Sequence, residues 1–237
     1  MGYETLLCHV EDGVATVTLN RAKVLHALNT QVFDELEDVF LALKANDAVR
    51  VILLTGAGEK AFAAGADINE IAAVDVAAGE AKARRGQGVF RLIETCGKPV
   101  IALVNGFALG GGTEMALACD FIVASEKAVF GQPEVGLGII PGFGGTFRLT
   151  RNIRLPRAKE LVYSGRRVKA EEAMAIGLCN RVLPSEGFLD SVIENHARPI
   201  ALQSASAVAK AKSLMVEFTE SHGLNTKVDA ESHAFGR

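Results

Sequence analysis

The chain has 237 residues, of which 49% are apolar, enough for one large core, or a core with a helical appendage. A formal charge of -3 with both signs mixed along the chain leaves no basic stripe, which argues against electrostatically driven nucleic-acid binding. Four cysteines without a Cys-x-x-Cys pair read as free thiols in a reducing compartment, and neither a signal pattern nor an apolar run of about 20 residues is present. A cytoplasmic chain, with no membrane and no metal, is the expectation.

In chain order, residues 6–10 and Val14–Leu19 form a β-rich pair around the Asp12-Gly13 turn signal. Asn29 or Thr30 then caps a helix through Val32, Phe33, Leu36, Val39, Phe40 and Leu43. A strand over 49–55 ends at Gly56-Ala57-Gly58, followed by a small-residue loop to Asp67. A helix over 79–96 stops at Lys98-Pro99, the strand Val100–Val104 follows, then a short helix over 113–119 and a strand over 121–124. Beyond Arg151, helices over 155–163, 170–176, 186–198 and 204–219 dominate, with one strand near 180–183. Strand–strand–helix order recurs loosely in the first two-thirds.

Gly56-x-Gly58-x-x-Ala61 after a strand resembles a dinucleotide fingerprint, but that motif needs a helix to open at once, and residues 63–67 read as an extended loop. A glycine turn is the better reading. No Gly-x-Ser-x-Gly elbow occurs, and the five histidines, His26 among them, read as surface or loop residues without a nucleophile or a metal-binding spacing.

The densest chemical signal lies between Pro99 and Leu149. Gly110-Gly111-Gly112-Thr113-Glu114 places one carboxylate in the first turn of an apolar helix, and Gln132-Pro133-Glu134 places another before a glycine-rich turn. Glu114 has a plain structural explanation, complementing the helix dipole, and Glu134 one as a loop carboxylate in water. If buried without a basic neighbour, each is pushed toward the neutral form, as proton transfer requires.

The runs Ala61-Phe62-Ala63-Ala64-Gly65-Ala66-Asp67-Ile68, Asn105 to Ala116, Ala128 to Glu134 and Gly138 to Thr146, in this order, resemble the crotonase family, the enoyl-CoA hydratases and isomerases. The resemblance implies an α/β spiral of ββα units over residues 1–185 and a C-terminal helical trimerisation region over 186–237, giving homotrimers or hexamers. It implies an acyl-CoA substrate and no cofactor beyond the coenzyme A of that substrate. Position by position, the backbone amides of Ala66 and Gly111 would form an oxyanion hole, and Glu114 and Glu134 an acid/base pair, Glu114 as base. Ala64, Asp67 and Ile68, with Ala27 and Leu28, would line the coenzyme A, and Gly142 would hold water or shape the acyl pocket.

Two retained acids favour hydration of a trans-2-enoyl-CoA over the isomerase or specialised dehydratase chemistry of other members. A non-enzymatic RNA-binding relative is the alternative of another class. Ala22 and His26 depart from the family's usual Asn-Arg-Pro and Asn-Ala-Leu, Asn69 stands where many members carry Lys, and the C-terminal tail reads as shortened.

Overall fold

A computed structural model describes residues 2–72 and 75–220. Strands β1 (Leu6–Glu11) and β2 (Val14–Leu19) are closed by Asp12 and Gly13, both at positive φ (47° and 79°), the two-residue geometry that matches strand twist. From β2 onward the large sheet is parallel. Strands β3 (Val51–Gly56), β5 (Val100–Val104) and β7 (Phe121–Ser125) add in order, and β10 (Arg181–Leu183) completes the sequence β1-β2-β3-β5-β7-β10.

Each inner strand is followed by a three-residue strand that turns away into a second sheet. These are β4 (Ala61–Ala63), β6 (Phe107–Leu109) and β8 (Val129–Gly131), with β9 (Arg167–Lys169) antiparallel at the edge. A helix closes each unit. They are α1 (Thr30–Ala45) after the hairpin, the short α2 (Ile68–Ile71) and long α3 (Val76–Glu94) after β4, α4 (Gly111–Ala118) after β6 and α5 (Gly145–Ile153) after β8. The loose strand–strand–helix recurrence in the sequence is therefore a spiral of ββα units.

Local signals explain the boundaries. Asn29, not Thr30, caps α1, its side chain accepting from Val32 N at 3.0 Å. Helix α3 begins three residues earlier than its apolar spacing suggests, because Asp75 caps it by accepting from Ala78 N at 2.8 Å. Gly56 and Gly58 end β3 without opening a helix. A Cβ at Gly56 would stand 2.2 Å from Ala61 O, so close chain approach accounts for that glycine and no pyrophosphate cradle forms.

One face of the large sheet packs Val17, Ile52, Leu54, Ala102 and Val104 against α1, α3 and α4. The other, through Val51, Leu53, Ile101, Leu103 and Val123, is sealed by Phe188, Val192 and Ala197. Burial on both faces is why the parallel strands read as near-continuous apolar runs. Phe188 and Val192 belong to α8 (Phe188–Val192) and Ala197 to a π-turn (Ile193–Ala197), which runs on into α9 (Arg198–Ala201), so three short pieces replace the single helix over 186–198. Helices α6 (Leu155–Ser164) and α7 (Ala170–Ile176) precede them, and α10 (Ala205–Glu220) is pinned to the core by Lys212, which donates to Asp120 Oδ2 and Lys98 O at 2.8 Å. The rest of the expected 186–237 region lies outside the described residues. Among the described residues no helix is long and apolar enough to cross a membrane, and all four cysteines are free thiols.

Candidate active site

The site begins at the N-terminus of α4. Gly110 reaches φ 51° and ψ −122°, open to residues without a Cβ, and turns β6 into the helix. A Cβ there would stand 2.7 Å from Glu134 Oε1, and one at Gly112 would stand 2.0 Å from Ala63 O. The glycines thus allow α4 to approach both β4 and the second acid. Thr113 Oγ1 donates to Ala108 O at 2.6 Å and accepts from Gly131 N at 3.3 Å, tying α4 to β6 and β8.

Glu114 is 1% exposed. Its Oε1 accepts from Phe143 N at 2.9 Å and Gly145 N at 2.7 Å. Glu134, also buried, opens a 3₁₀ turn (Glu134–Leu137). With its amide nitrogen facing the acid, Gln132 donates to both Glu134 oxygens at 2.9 and 3.0 Å. The far end of Gln132 and Glu114 Oε1 both lie within 2.9 Å of where a Cβ on Gly145 would be, so Gln132 stands between the two acids. Burial pushes the Glu114 carboxyl up to about 7 against the two amide donors and Arg148. Burial, with the charge of Glu114 as a smaller cause, pushes Glu134 up to about 7 as well.

The strap containing Ala27 and Leu28 runs beside residues 64–68. Ala64 N donates to Leu25 O at 3.0 Å, Leu28 N to Gly65 O at 2.8 Å and Asp67 N to Leu28 O at 2.9 Å. These bonds form a parallel bridge between Leu28 and Ala66. Because successive peptide groups of an extended strand alternate, the Ala66 N–H points away from the strap. Gly65 lies against the start of α4, since a Cβ on it would stand 3.8 Å from Gly111 N. Gly111 is the first residue of α4, and its N–H has no acceptor within the helix. The Ala66 N–H, turned from the strap, and the Gly111 N–H, without an acceptor in its helix, thus belong to two segments that lie against each other.

Asp67 pairs with Arg21 at 3.3 Å and caps α2 through Asn69 N, while Ile68 is exposed. Gly142 O accepts from Gln87 Nε2 at 2.8 Å, which holds the turn before Phe143 against α3. The structure thus brings Ala27, Leu28, Ala64, Ala66, Asp67, Gly111, Glu114 and Glu134 together, with Gly142 one residue before the first donor to Glu114.

Sequence reasoning missed three supporting residues. Gln132 reads in the sequence only as the start of a turn, although its glutamate neighbour two residues on was the available signal. Arg148, 2% exposed, donates to Phe143 O at 2.8 Å and Glu94 Oε2 at 3.2 Å, bolting the loop that feeds Glu114. No local pattern marks it. His26 is in a loop as expected but is 2% exposed, so the surface reading is corrected: its ring lies between Arg21 and Ala57. A cavity of about 750 Å³ is lined by Gln87, Arg91, Glu94, Phe147 and Arg148 itself, and neither Glu114 nor Glu134 lines it.

A ββα spiral carrying paired buried acids beside a glycine-rich helix start defines a crotonase-type enzyme scaffold. The profile of the Enoyl-CoA hydratase/isomerase family matches residues 9–237, and the chain belongs to that family. Over 240 residues it is 43% identical to a short-chain-enoyl-CoA hydratase of Clostridium acetobutylicum, covering 100% of this chain and 90% of that one. It is 42% identical to a crotonyl-CoA hydratase of Syntrophomonas wolfei with the same coverage. The crystal structure of an enoyl-CoA hydratase from Bacillus anthracis superposes with a TM-score of 0.94 at 38% identity, covering 98% of this chain and 90% of that one.

Proposed function

We propose that the protein is an enoyl-CoA hydratase, adding water reversibly to a trans-2-enoyl-CoA to give the 3-hydroxyacyl-CoA. The observation that carries this reading is the pair of buried glutamates, each pushed up to about 7 by burial, beside the glycine-rich start of α4. The short-chain-enoyl-CoA and crotonyl-CoA hydratases among its relatives support it.

The thioester oxygen accepts from Ala66 N–H and Gly111 N–H, the latter reinforced by the positive end of α4. Glu114, ionised, takes a proton from water as the water oxygen bonds to C3. The C2–C3 π electrons shift toward the thioester, whose oxygen carries the enolate charge. Glu134, protonated, delivers its proton to C2 and the thioester re-forms. Dehydration exchanges the two roles. Chemistry at neutral pH needs one acid of each kind, and groups titrating near 7 supply them. Gly111 without a side chain and Ala66 with a methyl leave room for the carbonyl. The segments 27–28 and 64–68 lie along the coenzyme A, and Gly142 borders the acyl group. No group beyond the substrate's coenzyme A takes part.

Exposed apolar side chains at Leu137, Ile140, Phe147, Tyr163, Leu202 and Met215 support assembly into a trimer or hexamer, to which the C-terminal helical region contributes, and four free thiols support a cytoplasmic location. Incubation with crotonyl-CoA tests the activity. Loss of the conjugated thioester absorbance with formation of 3-hydroxybutyryl-CoA is the expected result. A double-bond shift without hydration would assign the isomerase reaction instead.

A further inference from the structure

Leu25 and His26 lie at φ 52° and 58°, left-handed backbone that a leucine rarely adopts. Such strain persists only where the surroundings over-determine it. Here the surroundings centre on one ring. His26 Nδ1 accepts from Arg21 N at 3.0 Å, which fixes the Nε2–H tautomer and makes Nε2 the donor to Ala57 O at 3.0 Å. The ring is buried, and a Cβ on Gly56 would stand 3.0 Å from its Cδ2. It therefore joins the two ends of its own loop and fastens that loop to the end of β3.

The fastened loop is the strap beside the proposed oxyanion hole. Leu25 O holds Ala64 N, and both polar groups of Leu28 hold Gly65 and Asp67 on either side of Ala66. Arg21, whose backbone bonds the ring, also reaches Ala27 O and Asp67 with its side chain. We propose that His26 is a positioning residue, held as the neutral Nε2–H tautomer, that braces segment 21–28 so that Leu28 aims the Ala66 amide at the thioester oxygen. This rests on the reading of Ala66 as an oxyanion donor. Burial and the neighbouring Arg21 both disfavour the charged ring, in keeping with that tautomer.

Three readouts test the proposal. In ¹⁵N-histidine spectra of the wild-type protein at pH 7, with the His26 signal identified by its loss in His26→Asn, Nδ1 is expected unprotonated and Nε2 protonated. The opposite tautomer or a charged ring overturns the proposal. In His26→Ala, amide exchange at Leu28, Ala64 and Asp67 is expected to accelerate about tenfold or more while the β5 and β7 amides keep their rates. The same variant is expected to lose roughly 10- to 100-fold in kcat/KM for crotonyl-CoA, mostly in kcat. His26→Asn, which tolerates left-handed backbone and still accepts from Arg21 N, is expected to recover part of both. Unchanged exchange in His26→Ala overturns the bracing role whatever turnover does. Accelerated exchange with wild-type turnover leaves the brace standing and overturns the Ala66 assignment.

Discussion

Gly145 donates its N–H to Glu114 Oε1 at 2.7 Å, and the Cβ that Gly145 lacks would stand 2.9 Å from that same oxygen. The first residue of α5 thus both orients the acid and leaves the space it occupies. An alanine here would also meet the end of Gln132 at 2.8 Å. The atoms met belong to side chains and not to backbone, so the fold survives while both polar side chains shift. Gly145→Ala is expected to lower kcat for crotonyl-CoA hydration roughly 100-fold with little change in KM. Steady-state kinetics check this, and a kcat within twofold of wild type would contradict it.

Glu94 supports the same loop from below. It is 5% exposed and bonds Arg148 at 3.2 Å and Arg151 at 2.6 Å. Burial would raise its pKa, but the two guanidinium groups outweigh burial and hold the carboxyl below its ordinary value of 4.5. Its contribution to stability is therefore present above pH 4.5 and is lost as pH falls through the lower folded value. Glu94→Gln leaves Arg148 buried without its counter-charge, at a cost of about 3 kcal/mol or more at pH 7. Urea unfolding at pH 7 and in acid is expected to show a large deficit that narrows at low pH. Equal midpoints at pH 7 would show that the cluster does not brace the fold.

Glu114 has the opposite sign. Its folded value of about 7 lies above the ordinary 4.5, so the native state binds more protons between those values. The stability tied to its proton is complete below about pH 4.5 and lost as pH rises through about 7. Glu114→Gln keeps an oxygen for Phe143 N and Gly145 N but never ionises. Its Tm is expected to exceed that of wild type at pH 8, by roughly 2–4 °C per kcal/mol gained, and to converge with it at pH 5. Calorimetry at the two values checks the sign. A wild type more stable than the variant at pH 8 would contradict the burial argument.

The two acids were legible because three glycines and a Pro-Glu pair are unusual local sequence, and most long helices followed from apolar spacing. The second sheet was not. Strands β4, β6 and β8 are three residues each, too short for a period-two pattern to register. Gln132, Arg148 and His26 escaped for a different reason. Glu94, the partner of Arg148, and Ala57, the partner of His26, lie 54 and 31 residues away, so only the folded chain gives those two side chains a purpose, whereas Gln132 has its partner Glu134 two residues on and needed only the burial of that pair to be noticed. His26 in particular looks like an ordinary loop histidine until its burial is seen. The glycines of 56–58 were open to a nucleotide-binding reading that the approach of Ala61 to Gly56 explains without a ligand.

The central claim is that Glu114 and Glu134 carry the two proton transfers of hydration, one each. Its most direct measurement is kcat/KM for crotonyl-CoA hydration at pH 7 in Glu114→Gln and Glu134→Gln, each confirmed folded. The account predicts that each single variant falls by about 10²–10⁴, the range for loss of a positioned acid or base. Either variant within tenfold of the wild-type value would contradict it.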